Sequence, residues 1–520
     1  MNLRGKAFLL FITLLLVGCS APQSPATASP SATATTILIP QVPATRTSSP
    51  TPLPSSTPVM TATPPDPLTT LGPYLAYFRQ QDQAQQVVLL DEDALGRQAF
   101  TLPADNVTNK YAISPDGRWL AYYSGSVNTE QAHNLALNLL DLKNGKIRFV
   151  SKLLSRDYPD NFAKSATKLS DPSITTTQLQ QAFIAGITNS LAWSPDGNYL
   201  AFAGEMDGPS SDVYIYDMKN WTVQRKSKGP SEIQWIGWAP DGKWIVYSAA
   251  YRVEAGMTFE LYSVPLVAPI SFRVLPINRL TTSSGAYVPP MLWVNDHEFL
   301  DYDNAAVPGD YELRLVDVAK SNVIKVWDGN FDSLALNTRT NWVAFYSEMP
   351  IWPYHEGDPK IVPGSYLINL TNLLRIRIDV APVDGLQAPY DFLSASPDDQ
   401  NFIASTGAAD NLLVVSSDRT ARDSGIPKGV VSLAPNRQYW VVISDKIRIY
   451  SADNRLFRAV PLPDGLSISS ASQLIWRPDS VGLYLTSGSS LYTLDLLSGG
   501  FRLVETNLDQ PATFTWVRQR

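Results

Sequence analysis

The chain of 520 residues has a single cysteine, Cys19, so no disulfide can form within it. Histidine is nearly as scarce. His133, His297 and His355 lie far apart, and none belongs to a Cys/His spacing of the kind that holds zinc. Nucleophilic catalysis needs Ser or Cys with a His and an orienting group, and no G-x-S-x-G places a serine for that task. A P-loop and a G-x-G-x-x-G turn are also missing. Charged residues make up only 17% of the chain, the net charge is −7, and no basic block is present. Nucleic acid, whose phosphates demand Lys and Arg, is therefore not an expected partner. Neither a metal nor a cofactor is expected, and no catalytic residue can be named.

What is abundant points to β-structure. The 13 Trp and 23 Tyr suit pleated, half-buried surfaces. The first twenty residues are of another kind. "MNLRGKAFLLFITLLLVGCS" has a basic start at Arg4 and Lys6, then an apolar run from Ala7 to Val17. That run is short for a spanning helix and fits a signal peptide. It ends in Leu16-Val17-Gly18-Cys19, which resembles the bacterial lipobox, where small residues precede a cysteine that receives lipid before cleavage. The resemblance implies residues 1–18 as a lipoprotein signal peptide and lipidation at Cys19. It also implies a protein held at a bacterial membrane on the extracytoplasmic side, either in the periplasm or at the cell surface.

Residues 19–70 read as a tether. Pro, Ser and Thr dominate them, and the only charges are Arg46 and Asp66. Such a segment cannot bury a core, and its prolines favour extended polyproline II. Fully extended, it would reach about 160 Å; as a coil it would average about 40 Å.

From residue 71 onward one turn recurs. Ser-Pro-Asp-Gly stands inside "YAISPDGRWLAYYSG" at 111–125 and "LAWSPDGNYLAFAGE" at 191–205, and Ala-Pro-Asp-Gly inside "IGWAPDGKWIVYSAA" at 236–250. Pro fixes φ, Asp bonds the nearby backbone and Gly accepts positive φ, so each copy is a tight turn between two strands. The turn residues are Pro115, Asp116 and Gly117, then Pro195, Asp196 and Gly197, then Pro240, Asp241 and Gly242. A third alternating run, "DVYIYDMKN", and a fourth near "TVQRKSKG" complete a unit of four strands.

Weaker copies follow. Trp193, Trp238, Trp293, Ala335, Ala395, Leu433 and Trp476 occupy one position of the repeat, 38 to 60 residues apart. Four strands per unit at that period are the signature of a β-propeller. The last residues, "FTWVRQR", look like an opening strand without a successor, and "YLAYFRQQDQAQQVVLLDED" looks like a second and third strand without a first. A blade shared by both termini would close the ring and leave no open edge. The expectation is an all-β chain forming one closed propeller over 71–520, with about eight four-stranded blades and seven to nine allowed. Two smaller propellers in tandem are the alternative, and the complementary ends argue against them.

"WSPDG" followed by an "LAF" strand and an "IYDM" strand, as at 193–218, resembles the WD40-like (PD40) repeat of the TolB type. The resemblance runs over about 110–500. It implies a propeller and an extracytoplasmic protein that engages an envelope partner. TolB proteins are soluble and carry a separate N-terminal domain, whereas this chain has a tether there.

Function is less legible. The segment 151–190 is the largest interruption of the repeat, with a short helix expected at "QLQQAFIAGI" behind a Thr cap. "EMPIWPYHEGDPKIVPGSY" at 348–366 is a second, aromatic loop. Long loops on a rigid scaffold often carry binding. The acidic run 295–312 holds Asp296, Glu298, Asp301, Asp303 and Asp310, oxygen donors of the type calcium prefers but without EF-hand spacing. The reading that follows is a monomeric, membrane-anchored binding or scaffolding module for an envelope protein or glycan. The alternatives are a glycosidase or lyase using paired carboxylates in the central channel, and a sensor domain, for which no transmitting helix is found. Acids clustered in the channel would favour the enzyme.

Overall fold

The computed structural model describes residues 72–518. Excepted are 82–83, 105–109, 128–133, 159–175, 208–209, 230–231, 254–255, 268–272, 282–290, 303–311, 330, 348–363, 379–389, 408, 464–465, 467, 469–471 and 510–512. The lipobox residues Leu16, Val17, Gly18 and Cys19, the tether, His133, His355, Asp303 and Asp310 lie outside the described residues, as does nearly all of 348–366.

Nine four-stranded antiparallel sheets follow one another along the chain. Blade 1 runs from Ala112 to Lys152, blade 2 from Leu191 to Arg225 and blade 3 from Glu232 to Thr281. Blades 4 to 8 span Leu292–Asp328, Asp332–Ile378, Asp391–Pro427, Val430–Pro461 and Leu474–Glu505. Blade 9 joins Phe514–Val517 to Tyr74–Gln81, Ala84–Asp91 and Arg97–Thr101. The number is nine, at the top of the expected range. Every unit marked by the repeat is a blade, and the shared one is added to eight complete ones.

The ring closes through side chains that alternate within each strand. In Trp119–Ser124, Leu120 and Tyr122 pack with blade 9, whereas Ala121 and Tyr123 pack with blade 2. Both sides of the middle strands are therefore covered. Asp212–Asp217 is buried at every position, while the outermost strand Thr222–Arg225 alternates between exposed and half-buried. Apolar clusters of this kind bridge each successive pair of blades around to blade 8, whose Tyr484 and Leu491 pack with Leu75 and Tyr77 of blade 9.

The shared blade is clasped by register and by charge. Phe514–Val517 pairs antiparallel with Tyr74–Tyr77, with Tyr74 opposite Val517. Glu505 of blade 8 lies 2.8 Å from Arg79 and 3.3 Å from Arg97, and it accepts a hydrogen bond from the Tyr77 hydroxyl at 3.3 Å. Burial alone would raise the Glu505 carboxyl, but the Arg79 and Arg97 guanidiniums and the Thr506 N–H hold it below its usual range.

Candidate functional site

The alternation of antiparallel strands sorts every connection onto one of two faces. The turns between first and second strands, and between third and fourth, share one face, here the turn face. The second-to-third connections and the crossovers between blades share the other, the loop face.

All nine turn residues singled out by the repeat stand on the turn face. In blade 2 the Ser194 hydroxyl donates to Asp196 at 2.6 Å and accepts the Tyr199 N–H at 2.9 Å. Asp196 also accepts the Asn198 N–H at 3.0 Å, and Gly197 holds φ at 73°. Burial would raise the Asp196 carboxyl, but the donors from Ser194 and Asn198 outweigh it and lower it. Ser114 and Asp116 repeat the arrangement in blade 1, and Ser396 and Asp398 in blade 6. In blade 3, Ala239 removes the hydroxyl, and Asp241 keeps the Lys243 N–H at 2.9 Å. A second set of caps escaped the sequence reading. Asp217, at the end of a third strand, accepts the N–H groups of Lys219 and Asn220 at 2.8 and 3.0 Å, and Asp141, Asp317 and Asp495 do likewise in their blades. These carboxylates are committed to holding turns.

The repeat position marked by tryptophan has a further role. Trp193 Nε1 donates to the Ala112 carbonyl at 2.9 Å, and Trp238 Nε1 to Ala192 at 3.0 Å. Trp516 Nε1 donates to Trp476 at 2.7 Å, and Trp476 Nε1 to the Ser432 hydroxyl at 2.9 Å. Each indole thus staples an inner strand to the inner strand of the preceding blade.

The loop face carries the insertion. Leu154 pairs in parallel with Glu205, and the Ser155 N–H donates to the Glu205 carbonyl at 2.6 Å. The Glu205 carboxylate accepts the Ser155 hydroxyl at 2.7 Å. The expected helix is present as Thr176–Asn189. It buries Phe183, Ile184 and Ile187 in the core shared by blades 1 to 3. Gly186 permits the contact with blade 3, since a Cβ there would come within 2.5 Å of the Ile233 carbonyl oxygen.

Three acids meet beneath this insertion: Glu205 and Asp212, both buried, and Glu232, half-buried at the start of blade 3. Burial, reinforced by the charges of Glu205 and Asp212 and opposed by the Ser211 N–H at 2.9 Å, raises Glu232 to about 7. Asp212 is raised by burial in spite of the Ser227 hydroxyl at 2.9 Å and the paired Arg225. A carboxyl poised near neutral pH can give or take a proton. No motif marks these three residues, and only the fold brings them together.

The first strands form the inner wall of the ring, and those of blades 1 and 2, 2 and 3, 5 and 6, and 6 and 7 touch one another. Among the described side chains that wall carries Glu232 and Asp391, each at the first residue of its strand and so at the rim on the loop face.

In the described part of the acidic run 295–312, only His297 and Glu298 enter a group of possible metal donors, together with Asp317. Asp301 is buried, 3.7 Å from Arg314. His297, Glu298 and Asp317 place donor atoms within 4.8 Å of one another. However, Asp317 already takes Lys320 Nζ at 2.9 Å, and Glu298 takes the Asn295 amide at 2.6 Å. An ammonium stands where an ion would, and no metal is assigned.

No family model and no curated protein matches the chain. Solved structures similar to it include TolB from Acinetobacter baumannii, at 16% identity over 58% of this chain, with a TM-score of 0.29. The match spans 62% of that protein, less than two thirds of its length. A eukaryotic initiation factor is 12% identical over 85% of this chain and 98% of its own, with a TM-score of 0.46. The β-propeller domain of the Trilobed protease from Pyrococcus furiosus is 12% identical over 79% and 98%, with a TM-score of 0.29. These are similarities of fold; the propeller itself is established by the nine sheets.

Proposed function

We propose that the chain is an extracytoplasmic propeller, tethered to a bacterial membrane through Cys19, that binds an envelope protein or glycan on its loop face. The observation that carries this reading is the contrast between the two faces. Turn-face connections such as 114–118, 194–198, 396–400 and 496–500 are short and internally hydrogen-bonded. Loop-face connections range from 444–445 to 348–363 and the insertion 153–190. Variable loops on a rigid ring are where recognition is placed. The test is site-directed photocrosslinking in the native cell, with the probe at Val127 on the loop face or at Asn144 on the turn face. The reading predicts one recurrent envelope adduct from position 127 that is lacking at 144. Equal yields at the two positions, or adducts to cytoplasmic proteins, would reject it.

A catalytic reading has one observation in its favour: the Glu232 carboxyl, raised to about 7, beside Glu205 at the channel mouth. In that reading Glu232 is the general acid of a glycosidase or lyase. Against it, Glu205 and Asp212 are already engaged by Ser155, Ser227 and Arg225. Turnover of an acidic polysaccharide that disappears in Glu232→Gln would establish catalysis in place of simple binding.

A further inference from the structure

The turn face carries a surface that its own hydrogen bonds do not explain. At the seam of blades 1 and 2 four side chains form a continuous row. Arg118 lies over Trp119 at 5.0 Å, Trp119 meets Trp221 edge-on at 5.7 Å, and Arg148 covers Trp221 at 3.8 Å. Trp221 is 41% exposed and sits in the left-handed region at φ 58°, where a bulky residue is uncommon. Lys143 and Lys146 stand exposed in the adjoining turn. With Arg148 they form no ion pair among the described residues, whereas Arg118 pairs with Asp141 at 3.6 Å, and Lys243 and Arg477 on other blades pair with Asp241 and Asp479 in their own turns. A chain of net charge −7 thus gathers unpaired positive charge beside exposed aromatic rings.

The apolar surface continues around the same face. Leu95, Ile147, Val267, Leu374 and Leu497 are 51 to 94% exposed, and each lies in a turn-face connection or directly after one. The polypeptide also enters here. Tyr74 opens the second strand of blade 9, opposite Val517, so the first described strand begins at the turn face, one blade away from the Arg–Trp row.

We infer that the turn face at blades 1 and 2 docks on an anionic lipid surface, with Arg118, Arg148, Lys143 and Lys146 against headgroups and Trp221 at the interface. Tryptophan suits the boundary between water and acyl chains, and cations near anionic lipid strengthen attachment additively. This rests on the tethered reading, since the tether would bring that face to the bilayer. It adds that the propeller lies on the membrane with its loop face outward.

The experiment is co-sedimentation of the mature chain, residues 19–520 carrying Cys19→Ser, so that neither the apolar signal run nor acylation plays a part. The vesicles are phosphatidylcholine alone or phosphatidylcholine mixed with phosphatidylglycerol. The expected result is partition only into the anionic vesicles, weakening as salt is raised. Arg148→Glu should lower the partition about tenfold. Lys146→Glu, on a fully solvated turn, should act in the same direction, with the fold of both variants confirmed by circular dichroism. Equal partition into both vesicles, or none into either, overturns the inference, as does stronger retention on soluble polygalacturonate, which would assign the patch to an anionic glycan. Whether the unsubstituted chain made in bacteria pellets with membranes tests the anchor separately, so the two readings fail independently.

Discussion

Across the seam between blades 2 and 3, the indole nitrogen of Trp238 donates to the backbone carbonyl of Ala192 at 3.0 Å. The bond recurs at Trp193 and Trp516, and at Trp476 with a serine hydroxyl as acceptor. Blades joined mainly by non-directional apolar packing are thereby given a fixed angular setting. Trp238→Phe, which keeps an aromatic ring but removes the donor, should cost about 1 kcal/mol in urea unfolding. Trp238→Ala should cost about 3–5 kcal/mol. No measurable loss in Trp238→Phe beside a large one in Trp238→Ala would show that the indole serves only as volume.

Turn conformation can be tested in both directions. Gly197 holds φ at 73°, so Gly197→Ala should destabilise by about 1 kcal/mol. Arg419 holds φ at 72° with an exposed side chain, and Arg419→Gly should stabilise by a similar amount, about 1 kcal/mol. Thermal denaturation of the two variants side by side should move the midpoint in opposite directions.

Glu232 makes stability depend on pH with a definite sign. Its carboxyl rises from an ordinary 4.5 to about 7 on folding, chiefly through burial, so the folded protein takes up a proton between these values. The group favours the folded state fully below about pH 4.5, and this contribution is lost as pH rises through 7. Glu232→Gln should therefore flatten the fall in melting temperature between pH 5 and pH 8. An unchanged slope would mean that the carboxyl titrates normally.

Glu505 has the opposite sign. The Arg79 and Arg97 charges hold it low against burial, so its contribution is present above its unfolded value and is lost as pH falls through the folded one. Glu505→Ala leaves two guanidiniums at the seam without their carboxylate and should cost about 3–5 kcal/mol. Because the residue joins blade 8 to the shared blade, limited proteolysis of this variant should begin at the N-terminal strand Tyr74–Gln81.

Some of this was readable in the sequence and some was not. Ser114-Pro115-Asp116-Gly117 and its copies exposed the blade unit because a tight turn needs those residue types at that spacing. The tryptophan position was visible as a period, but its hydrogen bond was hidden, since the acceptor is a backbone carbonyl of the preceding blade. Blade 9 was legible because its halves are separately incomplete. The expectation of about eight, rather than nine, follows the usual ring sizes of four to eight blades. Glu205, Asp212 and Glu232 could not be selected among 48 acids, as they converge only when two blades and an insertion pack. Arg148 and Trp221 meet for the same reason, on different blades with no motif between them.

The clasp has a mechanical meaning. Tyr74–Gln81 is bonded along its whole length to Ala84–Asp91, and over its first half to Phe514–Val517. A pull on the chain ahead of Tyr74 runs along the axis of that strand. Its hydrogen bonds are then loaded in shear and must fail together, whereas a sideways pull would unzip them one by one. Tension between a membrane anchor and a partner held on the opposite face would therefore fall on the element best arranged to resist it.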